Sequence, residues 1–69
     1  MDESEKVDAL LRAYTDGGLA GFEELLATID VDLNADDSDG LSLMNSASHG
    51  GWIDLIVNLK GKMVFTFLV

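Results

Sequence analysis

A chain of 69 residues with 13 acidic and 4 basic side chains carries a formal net charge of −9 and holds at most one small domain. Such a charge opposes binding to nucleic-acid phosphates and to anionic membranes. With no cysteine there is no disulfide and no thiolate zinc site, which fits the reducing cytoplasm, with the nucleus as the alternative. Asp2, Glu3, Glu5 and Asp8 stand where a secretory signal would be basic, so no signal segment is expected. The strongest apolar run, Met63 to Val69, is far shorter than the ~20 residues needed to span a bilayer as a helix.

Residues 3–15 are expected to form an amphipathic helix, because Val7, Leu10, Leu11 and Tyr14 fall at i, i+3, i+4 and i+7. Asp2 and Glu5 have the spacing of a helix cap. Asp16-Gly17-Gly18 breaks this helix. A second is expected from about Leu19 to Ile29, with Leu19, Phe22, Leu25, Leu26 and Ile29 on one face. The short connection predicts an antiparallel hairpin. Residues 30–40 are dense in Asp, Asn and Gly and read as turns. A weak third helix is expected over Ser42–His49, with Met44 and Ala47 inward, before Gly50-Gly51 interrupts it. A fourth is expected over Trp52–Leu59, with Trp52, Leu55, Ile56 and Leu59 inward and Lys60-Gly61-Lys62 as its stop. The segment 63–69 is β-branched and aromatic. It reads as strand or irregular chain outside the preceding unit of residues 1–62.

Shifting the chain by 33 residues brings Gly18 onto Gly51, Leu26 onto Leu59 and Leu11 onto Met44. That period marks stacked helical hairpins, each needing a neighbour to cover its apolar face. The stretch Asp37-Ser38-Asp39-Gly40-Leu41-Ser42-Leu43-Met44-Asn45-Ser46-Ala47-Ser48-His49-Gly50-Gly51-Trp52-Ile53-Asp54-Leu55-Ile56-Val57-Asn58-Leu59 resembles the ankyrin repeat pattern D-x-x-G-x-T-P-L-H-x-A-A-x-x-G-H-x-x-V-V-x-L-L. Asp37, Gly40, Ala47, Gly51 and Leu59 match it outright. Upstream, residues 18–26 look like the second helix of a preceding repeat, and Asp32-Leu33-Asn34-Ala35 is similar to the family's A-D-V-N-A loop. The resemblance covers about residues 7–59 and implies an all-α fold of stacked antiparallel hairpins, about two repeats long.

The departures are specific. Leu43 and Asn45 replace the family's Pro and His, removing a conformational lock and a hydrogen-bonding side chain. Trp52 stands where a second His is usual. Asn58 takes a place usually held by buried Leu, where an unpaired amide costs roughly 1–3 kcal/mol. The pattern stops after Leu59, although such arrays usually need about three repeats with polar caps. A truncated array is therefore an expectation.

Chemistry-bearing patterns are incomplete. Asp30, Asp32, Asn34, Asp36, Asp37 and Asp39 offer hard oxygens to calcium. A calcium loop of the EF-hand kind wants Gly at position 6 and Glu at position 12. From Asp30 those places hold Ala35 and Leu41; from Asp32 they hold Asp37 and Leu43. The bland alternative is a solvated inter-repeat turn. His49 is the single histidine, and its neighbours Ser42, Ser46 and Ser48 lack the Gly-x-Ser-x-Gly elbow of a hydrolase. Gly17-Gly18 and Gly50-Gly51 lack any phosphate-loop pattern. Glu23 and Glu24 diverge on a helix and cannot face each other. No catalytic, cofactor or metal residues are therefore assigned.

The expected function is a protein-interaction module, not an enzyme. Its acidic turn and concave surface would hold a basic partner, with Asp37, Asp39, Leu41, Asn45 and Trp52 as contacts. Trp52 has a competing reading as core packing. The apolar tail would either cap the last hairpin or drive self-association. A calcium-binding acidic loop and a truncated product without independent function are the alternatives.

Overall fold

A computed structural model describes the backbone of residues 2–68 and the side chains through Lys62. It contains three helices, α1 (Glu3–Leu26), α2 (Leu43–Gly50) and α3 (Ile53–Leu68), with no strand among the described residues. The Asp2 carboxylate accepts the Glu5 N–H at 2.9 Å and caps α1, as the spacing predicts. The same bond, reinforced by the Ser4 hydroxyl, holds the Asp2 carboxyl below its ordinary range.

α1 is two arms rather than one rod. Gly18 at φ 66°, ψ −160° breaks the helix, and a Cβ built on Gly21 would lie 2.8 Å from the Ala13 carbonyl oxygen. Residues eight apart on a straight helix are about 12 Å apart, so the second arm has folded back on the first. Glycine alone reaches Gly18's conformation without strain. The second arm ends at Leu26, short of the expected Ile29, where the Thr28 N–H turns onto the Leu25 carbonyl.

The Ser42 side chain accepts from the Asn45 N–H at 3.2 Å and so caps α2. Gly51, at φ 71°, closes it in the left-handed conformation. α3 then packs back against α2. It does not stop at Lys60-Gly61-Lys62 but runs to Leu68 through the segment expected to be strand-like or irregular. A helix-interior glycine costs only about 1 kcal/mol and no proline follows, so nothing forbids the next i→i−4 bonds. The expected tail capping and tail-driven self-association concern side chains outside the described residues.

Val7, Leu10, Phe22, Leu43, Ala47, Leu55 and Leu59 are fully buried and form the core, drawn from every helix. Around them pack Leu11, Tyr14, Leu26, Met44, Trp52 and Ile56. Leu43 corrects the expected inward set of α2. It fills the core one residue before the half-buried Met44, and with Ala47 it makes an i, i+4 pair. Tyr14 and Trp52 stack with ring centroids 4.6 Å apart, and the Tyr14 hydroxyl donates to the Asp54 carboxylate. That carboxylate pushes the Tyr14 phenol above its ordinary pKa of 10.0. No helix among the described residues is long and apolar enough to cross a membrane.

Candidate interaction surface

The acidic segment between α1 and α2 is built mostly from its own backbone amides. The Asp37 N–H donates to the Leu41 carbonyl at 2.7 Å, and the Gly40 N–H to the Asp37 carbonyl at 3.0 Å. The Asp37 carboxylate accepts from the N–H groups of Asp39 and Leu41, each at 2.9 Å. A bridge between Asp36 and Ser42 closes the turn and delivers the chain into the α2 cap. The Asn34 N–H donates to Asp32 Oδ1 in a similar side-chain turn.

Three side chains of α1 fasten this segment from outside. The Lys6 ammonium donates to the Asp30 carbonyl. Glu3 Oε2 accepts the Asp32 N–H at 2.9 Å, and Asp8 Oδ1 accepts the Ser38 N–H at 3.3 Å. The Asp32 amide, with Lys6 second, holds the Glu3 carboxyl below its ordinary value of 4.5. A carboxylate whose folded pKa is lowered contributes stability above the unfolded value, and that contribution disappears as pH falls through the folded value. Wild type should therefore melt above Glu3→Gln at pH 6, and the gap should close on acidification below about pH 4. A gap that stays constant down to pH 3 would count against the Glu3 contact. Replacing Asp37 by alanine frees two turn amides, with an expected loss of about 1 kcal/mol in chemical denaturation.

The expected contact residues divide. Leu41, 43% exposed, and Asn45 come together with Ser48 and His49 around an open depression of about 440 Å³. Asp39 is exposed at the neighbouring turn tip, whereas Asp37 is half-buried and engaged within the turn. Trp52 is half-buried against Tyr14 and does not line the depression. The sequence reading missed Ser48 and His49 as neighbours of Asn45. Their i+3 and i+4 spacing from it was the available signal.

Among the described residues, no group of three or more His, Asp or Glu side chains is placed to hold a metal ion. Within this segment the Asp32 and Asp37 carboxylates serve the turns by accepting backbone amide protons. The depression offers a leucine, an amide, a hydroxyl and an imidazole beside an acidic turn, a combination suited to contacting a side chain of another protein. No protein-family model, curated protein or solved structure matches this chain.

Proposed function

We propose that this chain is a protein-interaction module of ankyrin-like helical hairpins that works by binding rather than by catalysis. It holds a protein with a basic surface through the 36–42 turn and the outer side of α2. The observation that carries this reading is the convergence of Leu41, Asn45, Ser48 and His49 on one open depression beside exposed Asp39. The stacked-hairpin reading has independent support from the 33-residue period. Leu10 and Leu43 are both fully buried, as are Phe22 and Leu55. Gly18 and Gly51, also 33 apart, both have positive φ, at 66° and 71°, although ψ differs, −160° against 26°.

Charge selects the partner class. A net charge of −9 draws basic surfaces and slows acidic ones. The test is fluorescence anisotropy with labelled peptides rich in lysine and arginine. Affinity should fall about tenfold between roughly 50 and 300 mM salt. Asp39→Lys should remove most binding, and Leu41→Ala should weaken it several-fold, both without lowering the melting temperature. Equal binding at low and high salt, or binding indifferent to both substitutions, overturns the proposal.

A further inference from the structure

Two further surface features differ from this depression and complement each other. The first is on α3. Ile53 is 71% and Val57 65% exposed, whereas Leu55 and Leu59, about 200° further round the helix, are fully buried. The Ile53–Val57 face is therefore turned away from the core, and Lys60 is exposed one turn further on. The second is a groove of about 380 Å³ between the two arms of α1. Ala13, Gly21 and Leu25 line it, and the exposed carboxylates of Asp16 and Glu24 rim it. Gly21 brings the arms close enough that the groove floor is partly backbone.

Charge is divided along the chain in the same sense. Residues 1–51 hold twelve acids against two bases, a net −10, while residues 52–69 hold one acid against two lysines, a net +1. An apolar, weakly cationic helix face and an apolar groove with an acidic rim thus occur on one molecule.

We propose that copies of this chain associate head to tail. The Ile53–Val57 face and Lys60 of one copy occupy the α1 groove of the next. The two surfaces differ, so the contact is heterologous and leaves a free groove at one end and a free α3 face at the other. Paired apolar surface supplies the attraction. Lys60 against Asp16 and Glu24 sets the direction. Few side chains take part and each copy carries −9, so association is weak, with a dissociation constant on the order of 10⁻⁴ M.

Sedimentation equilibrium of the full chain in moderate salt tests this. Wild type should show mass above monomer as concentration rises towards about 1 mM. Val57→Glu spoils the α3 face and Glu24→Lys the groove. Both positions are exposed, and circular dichroism checks that each variant keeps its fold. Each variant alone should associate at least about tenfold more weakly. Their mixture should form a one-to-one heterodimer, because Val57→Glu keeps an intact groove and Glu24→Lys an intact α3 face. A wild type that stays monomeric overturns the proposal. So do variants that associate like wild type, and a mixture without heterodimer. Vesicles of anionic phospholipid that capture monomeric wild type, but not Val57→Glu, would assign the α3 face to a lipid surface and equally overturn it.

Discussion

Gly21→Ala is expected to destabilise the chain by about 2 kcal/mol, against the usual direction for a helical glycine. In an unobstructed helix the same change gains up to about 1 kcal/mol, because alanine loses less backbone entropy. Here the new methyl would lie 2.8 Å from the Ala13 carbonyl oxygen and 3.7 Å from its carbon. The obstacle is backbone, so no rotamer change relieves it and the two arms of α1 must separate. Separation pulls on Phe22, the fully buried neighbour of Gly21. For a chain of this size, 2 kcal/mol corresponds to a fall in melting temperature of roughly 10 °C. Gly17→Ala is the control. A Cβ there meets nothing within 4 Å and the residue has no positive φ, so that variant should be neutral or slightly more stable. Thermal and urea unfolding followed at 222 nm read both. Equal stability of Gly21→Ala and wild type would mean that the arms are further apart than described.

Asn58→Leu is expected to stabilise by about 1.5 kcal/mol. The Asn58 side-chain oxygen is buried without a hydrogen-bond partner among the described residues. Water satisfied that acceptor in the unfolded chain, so folding gives up a bond and returns none. Leucine has a similar volume, removes the acceptor and adds apolar contact beside Leu55 and Leu59. Asn58→Ala separates the effects: it removes the acceptor without restoring volume, so it should fall between wild type and Asn58→Leu. A loss of stability in Asn58→Leu would show that the amide has a partner. This residue also bears on the ankyrin-like reading, since the resemblance implies a buried apolar side chain there.

Much of the helical framework was legible because it depends on residues three or four apart. The stripe containing Val7 and Leu10, the spacing of Leu55 and Leu59, and the cap at Asp2 are local patterns, and each reappears in the fold. The reversal at Gly17-Gly18 was legible for the same reason, and so was the turn-rich character of residues 30–40, although not the bridge from Asp36 to Ser42 that closes the last turn. A β-branched residue or glycine near a helix end is a weaker signal. The stop expected at Gly61 and the non-helical tail after it both failed, because a cost of about 1 kcal/mol does not end a helix that has already started.

The candidate surface was legible only in part. Leu41, Asn45 and Asp39 were named from the turn and the first turn of a helix; Ser48 and His49 share a helix face with Asn45 by local spacing, while the placing of that face beside Leu41 came from the fold. For Trp52 the sequence favoured core packing over a contact role; the stacking on Tyr14, far earlier in the chain, is what half-buries it.

What the sequence by itself determined is an acidic, helix-forming chain with two glycine reversals and an Asp-rich turn between them, since composition, period and turn chemistry act over a few residues. The tertiary structure decided which apolar residues became core, Leu43 among them. It fastened the turn-rich segment to α1 through Glu3, Lys6 and Asp8, across separations of 24 to 30 residues. It also made Gly21 sensitive to any added side chain, because there one arm's backbone comes within methyl reach of the other's. Such contacts depend on distances between segments remote in sequence, which no local pattern encodes.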